Sequence, residues 1–273
     1  MTTWELLSVD FVQQAVIASA LLGLLSGFIA PLVVLRSMSF SVHATSELAL
    51  MGASAALLLG VSVSVGAVVG AVAAAVLLAV LGLKQRTQDA TIGVVMSFGL
   101  GLSVLFIYLY PGNSKAAFSL LTGQIVGVSS ASIWSLIIVC AIVVGVIALF
   151  WRPLLFASVD PVMAAASGVP IKAIAIGFSM LLGLAAAQSV QIVGALLVMA
   201  LLITPGAAAL HVTANPKLAV VLAVVFAEIA AVGGLVASLA PGLPVSVFVT
   251  SISFLIYLLC RAYAWARDRR IRL

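Results

Sequence analysis

Residues 131–151 read ASIWSLIIVCAIVVGVIALFW, twenty-one positions without a charge. As a helix the run is about 31 Å long, the depth of a bilayer's hydrocarbon core. A soluble helix of that length would carry a polar face, and this one has none. Comparable runs recur from Phe11 to Cys260, with polar breaks roughly every twenty residues. Only 7% of the 273 residues are charged and 65% are hydrophobic, against about a quarter charged in soluble domains. Barrel strands alternate over about ten residues, and these runs do not. The chain therefore reads as an all-α polytopic membrane protein.

Spans are predicted near 11–35, 42–60, 62–83, 91–110, 131–151, 171–188, 191–212, 217–240 and 244–261, a bundle of about eight to nine helices in one domain over 1–273. The start, MTTWELLSVDF, lacks the basic region and cleavage site of a secretory signal, so the first run is expected to be retained. Five of the twelve basic residues, Arg261, Arg267, Arg269, Arg270 and Arg272, fall in the tail 261–273. A basic tail after a span reads as a cytoplasmic anchor rather than a nucleic-acid arm. With nine spans the N-terminus lies outside. Arg36, Lys84, Arg86, Arg152, Lys172 and Lys217 then fall on the cytoplasmic side, and Lys115 alone outside. Trp4, Tyr108, Tyr110 and Trp134 mark the outer interface, Trp151 and Trp265 the inner one. The segment near 118–130 is expected to dip into the membrane without crossing it.

Gly23-x-x-x-Gly27, Gly66-x-x-x-Gly70 and Gly123-x-x-x-Gly127 fit close helix packing. Cys140 and Cys260 are far apart and read as packed apolar side chains. Asp89 is placed to cap the fourth span, and Thr204-Pro205 to kink the seventh.

The second span is the polar one. Residues 39–52 read SFSVHATSELALMG and set His43 and Glu47 one helical turn apart, on one face. Ionisable groups inside a membrane are costly and mark functional sites by default. One imidazole and one carboxylate make half a site for Mn²⁺, Fe²⁺ or Zn²⁺. The same spacing equally serves a hydrogen-bonded pair that braces the bundle. A zincin is excluded, since its motif is His-Glu-x-x-His. Glu228 sits mid-span in VVFAEIAAVGG, as a candidate pathway residue or as the partner of a polar group in the bundle. Gln188, Ser189 and Gln191 read as pathway lining or, more readily, as an interfacial loop. His211, before Asn215-Pro216, reads as a helix-end hydrogen-bonding group.

Residues 157–170 read ASVDPVMAAASGVP. Asp160 is an N-cap, Pro161 a first helical residue, and Gly168 with Pro170 a stop. The result is a two-turn helix near 160–168 that offers Val162 and Met163 to a groove on a cytoplasmic partner, or else packs on its own bundle. No G-x-x-x-x-G-K-[ST] motif occurs.

Several stretches agree in order with one family. TQDATIGVVMSFGLGLSVLFI (87–107), LLTGQIVGVS (120–129), SVDPVMAAASGVP (158–170) and VGALLVMALLITPGAAA (193–209) resemble segments of the permease subunits of zinc/manganese ABC importers. The likeness spans roughly residues 15–260. The family's pathway motif commonly reads Asp-x-x-x-His, followed by Pro-Gly. Here Gly52 matches that glycine, Met51 stands for the proline, Glu47 falls at the His position and His43 at the Asp position. The two ligand types are exchanged.

The resemblance implies a permease homodimer in a bacterial-type cell membrane, two cytoplasmic ABC ATPase subunits and an extracytoplasmic metal-binding protein. It also implies a transported divalent metal ion (Mn, Zn or Fe) with no permanently bound cofactor, and it favours the metal reading of His43 and Glu47. Asp160, Ala164 and Gly168 would form the ATPase-coupling helix, and ATP hydrolysis would belong to a separate chain. The competing reading is a proton-coupled secondary transporter using Glu228 and Glu47. A membrane enzyme lacks a visible nucleophile–base pair or a full metal triad.

Overall fold

A computed structural model describes residues 9–81, 88–112, 128–239, 241 and 243–271. The expectations for Trp4, Lys84, Arg86, Lys115, Gly123, Gly127, Arg272 and the stretch 118–127 lie outside the described residues, as do the side chains of Asp89 and Arg270.

The described residues form twelve helices: α1 (Asp10–Leu35), α2 (Ser39–Leu58), α3 (Val63–Leu81), α4 (Gln88–Leu109), α5 (Ser130–Leu149), α6 (Trp151–Val159), α7 (Pro161–Ala166), α8 (Ile171–Val193), α9 (Ala195–Leu202), α10 (Thr204–Val212), α11 (Pro216–Leu239) and α12 (Val245–Ile271). Seven of them, α1, α3, α4, α5, α8, α11 and α12, are long and apolar enough to cross a membrane. The protein is an all-helical, multi-span chain.

The two remaining expected spans differ from the rest. The second is α2, which has the length but carries His43, Thr45, Ser46 and Glu47 in its first half. The seventh is divided. Gly194 breaks the chain with φ +78° after α8, a conformation open to glycine without strain. Ile203 interrupts it again, and Pro205 stands in the first turn of α10. The proline has no N–H to give a preceding turn, so a helix starts there more readily than it continues.

The interfacial loop expected at Gln188–Gln191 is instead helix, because α8 runs unbroken to Val193. The alanines 185–187 favour helix, and the polar groups are accommodated inside it. The basic tail is likewise part of α12. Arg269 stacks on Trp265 at 3.8 Å, and Arg267 donates to the Val212 carbonyl at 2.9 Å.

Two compact units are distinguished: Met1–Leu35, Ile125–Cys140 and Met199–Leu273 in one, Arg36–Gln124 and Ala141–Val198 in the other. In the first, α1 packs along α11, and α10 touches α1, α11 and α12. Gly23 and Gly27 of α1 face Glu228 and Val224 of α11, so the four-residue spacing on one helix matches that on the other. In the second, α2 is central, packed on α3, α4 and α8. Gly52 of α2 meets Gly66 and Gly70 of α3, and Gly99 of α4 receives Leu48. Helices α6, α7 and α8 also contact one another in this unit.

Candidate functional site

The polar turn of α2 is built by its setting. Gly52, Gly66 and Gly70 let the backbones of α2 and α3 approach closely. Leu48 and Gly99 close the α4 side. Glu47 is 6% exposed and His43 half-buried. Nδ1 of His43 and Oε2 of Glu47 are buried without a hydrogen-bond partner, and so is Oγ1 of Thr45 between them. Ser46 Oγ donates back to the His43 carbonyl at 2.7 Å and is occupied within the helix.

A His–Glu brace would show a hydrogen bond or ion pair between the two side chains. Among the described residues the ion pair found is Arg267–Asp268, and His43 and Glu47 make none. An unpaired buried polar atom costs about 1–3 kcal/mol. Two such atoms, His43 Nδ1 and Glu47 Oε2, lie one turn apart on α2. No group of three or more His, Cys, Asp or Glu side chains that could hold a metal occurs among the described residues.

The other predicted residues fall as follows. Gln188 is buried in α8, next to Ser189, whose Oγ has no partner. Gln191, one turn on, accepts from Ser64 Oγ of α3 at 2.6 Å and donates to the Ala187 carbonyl at 3.2 Å. Glu228 lies half-buried on α11 with its carboxylate against Gly23, where a β-carbon would come within 2.9 Å of it. His211 stands edge-on to Tyr257, centroids 5.5 Å apart, while the helix-end carbonyl of Val212 is taken by Arg267. Helix-end bonding there belongs to the arginine, whose longer side chain reaches back from α12.

At α7, Asp160 Oδ1 accepts from the Met163 N–H at 2.9 Å, with Pro161 in the first turn. Gly168 ends the helix at φ +83°, and the N–H of Val169 reaches the Ala164 carbonyl at 3.0 Å. Ala164 is fully buried, whereas Val162 is 75% and Met163 56% exposed. The helix stands on its alanine and turns two large apolar side chains outward. The sequence marks the polar stretch 39–46 as a whole but carries no signal for Ser64. Thr45 and Ser46 share the polar turn with His43 and Glu47, a local signal, but nothing near Ser64 in sequence points to Gln191.

The described residues thus combine seven apolar helices long enough to cross a membrane, a buried polar turn on α2 and a short helix with an exposed apolar face. The model of the ABC 3 transport family matches residues 8–264. A manganese transport system membrane protein MntC from Listeria monocytogenes is 33% identical over 258 residues, 93% of this chain and 92% of that one. The MntC of Halalkalibacterium halodurans is 33% identical over 232 residues, covering 85% and 80%. In the solved structure of PsaBC from Streptococcus pneumoniae in complex with Fab, one chain superposes with a TM-score of 0.87 at 26% identity, covering 97% of this chain and 98% of that one. The chain belongs to the ABC 3 transport family, as a membrane permease of the metal ABC importer type. It is a transport subunit of the plasma membrane.

Proposed function

We propose that this permease moves a divalent transition metal, Mn²⁺ before Zn²⁺ or Fe²⁺, inward across the membrane through a transient site made by His43 and Glu47. The observation that carries the reading is the pair of unpartnered buried atoms, His43 Nδ1 and Glu47 Oε2, on successive turns of α2. Their chemistry fits the cargo. A carboxylate and an imidazole suit borderline-hard dications, and a single carboxylate leaves part of the charge uncompensated. Incomplete ligation keeps binding weak enough for release on the far side. The names of the MntC relatives favour manganese.

The working assembly in this reading is a single-domain permease of eight to nine spans, paired as a homodimer. Cytoplasmic ABC ATPases sit below it, an extracytoplasmic metal-binding protein delivers the ion, and the C-terminus is cytoplasmic. The helix Pro161–Ala166 is the ATPase contact. Asp160 and Gly168 fix its ends, Ala164 seats it, and Val162 with Met163 enter a groove on the partner. ATP-driven closure of the ATPases shifts the permease between two states of access. Glu228, Gln188 and Gln191 are assigned to the lining of the path.

The test is metal uptake into proteoliposomes holding the complete transporter. ATP-dependent Mn²⁺ uptake is expected, lost in the H43A/E47A double variant at equal assembly. Uptake driven by a pH gradient without ATP would instead support the proton-coupled reading.

A further inference from the structure

Arg36 lies between α1 and α2, three residues ahead of Ser39, where α2 begins. Its side chain is drawn inward. Nε donates to Ser158 Oγ at 2.8 Å and Nη2 to the Leu154 carbonyl at 3.3 Å. Ser158 Oγ donates in turn to the same carbonyl, at 2.5 Å. Because a guanidinium only donates, the serine must accept from Arg36 and pass its own proton to Leu154. In this ring of three bonds the guanidinium donates twice and the Leu154 carbonyl accepts twice.

The guanidinium also lies 4.7 Å from the ring centroid of Phe178, the bulkiest of the fully buried side chains. Among the described residues no carboxylate pairs with it. Burial lowers its pKa to about 10, so it stays charged at neutral pH. A half-buried cation without a counterion carries a desolvation cost. It is kept in place by an acceptor pair on α6 and an aromatic face on α8. The next residue is strained as well. Ser37 is the one non-glycine residue with a positive φ, +54°, among the described residues.

These contacts fall on particular elements. Ser158 and Leu154 belong to the last turns of α6, and Ser158 is two residues before Asp160, the cap of α7. Phe178 is on α8, which follows α7. The two helices that flank the short helix α7 are therefore gripped by one side chain, and that side chain starts the segment that becomes α2. Along α2, Glu47 is eight residues from Ser39, about 12 Å at helical rise. Stiff helix and a hydrogen-bonded fork give a short mechanical connection.

We propose that Arg36 is a positioning residue for coupled transport, tying both stems of the Pro161–Ala166 helix to the corner from which the His43/Glu47 helix departs. The proposal rests on the reading of α7 as the ATPase contact and of α2 as the ion-bearing helix. Movement of α7 reaches α2 through the Arg36 fork. Lysine would keep the charge but cannot span a hydroxyl and a carbonyl as the planar fork does.

The experiment compares Mn²⁺ taken up per ATP hydrolysed in proteoliposomes carrying the complete transporter, for wild type, R36K, R36Q, S158A, D160A and G168A, at equal assembled amounts. R36K, R36Q and S158A are expected to continue hydrolysing ATP while uptake per ATP falls about fivefold or more, the size of an ordinary coupling between sites. R36K and S158A are expected to be non-additive when combined, since they break one ring of bonds. Wild-type uptake per ATP in R36K and S158A would overturn the proposal, and so would a parallel loss of hydrolysis and uptake, which marks a brace. If R36Q does not assemble, S158A, which removes a single hydroxyl, carries the test. Uncoupling in D160A and G168A with coupling intact in R36K and S158A refutes the role of Arg36 alone. Absence of ATP-dependent Mn²⁺ uptake in wild type refutes the underlying transport reading.

Discussion

Gly52 of α2 and Gly66 of α3 lie so close that a β-carbon on either would run into the carbonyl of the other. The backbone of α2 is thereby held against that of α3 without a side chain between them. Substituting G52A or G66A is expected to cost about 1–3 kcal/mol through overpacking, seen as a lowered Tm in detergent. G101A, on α4 with open space around it, should leave Tm unchanged or raise it slightly, since alanine is the better helix former.

His43 and Glu47 invite a test that separates a cation site from a brace. Each holds an unpartnered buried atom, so H43A and E47A remove a cost rather than a bond. Their Tm should hold or rise by up to about 1 kcal/mol equivalent, while uptake is lost. A brace would give the opposite signature. Saturating Mn²⁺ should raise the Tm of the wild type by mass action and leave that of H43A/E47A where it was.

Asp160 and Gly168 define α7 by different means. D160A removes the acceptor of the Met163 N–H and should cost about 1 kcal/mol of local helix stability. D160N should retain most of it. G168A places a β-carbon at φ +83° and should cost about 1 kcal/mol or more. Both D160A and G168A should lower uptake per ATP more than they lower Tm, and hydrogen exchange at 161–168 would report the fraying directly.

Ser64 and Gln191 join α3 to α8 through a 2.6 Å hydrogen bond. A double-mutant cycle with S64A and Q191A should return a coupling of about 0.5–1.5 kcal/mol. A value near zero would free Gln191 from a structural duty and leave only its assignment to the path.

Much of the fold is written locally. The uncharged run 131–151 becomes α5, and the Asp-Pro and Gly-Val-Pro signals around 160–170 become a capped helix of six residues. Hydropathy, caps and stops depend on neighbours along the chain, and a reader of the chain sees them. Gln188 to Gln191 read as loop from the sequence, since polar residues near an expected span end look interfacial, whereas α8 continues to Val193. Their burial inside α8 depends on what packs across from them.

Composition and periodicity determined that this chain is a helical membrane protein, the likeness of its motifs to a permease family pointed to the class, and spacing put His43 and Glu47 on one helical face. The tertiary structure decided which atoms of that face find partners. Spacing left a cation pair and a brace equally open, because it fixes which atoms lie near each other on one helix and says nothing of partners from others. Hydrogen-bond satisfaction is a property of packing across helices. It left His43 Nδ1 and Glu47 Oε2 without partners, and it joined Arg36 to Ser158, 122 residues away.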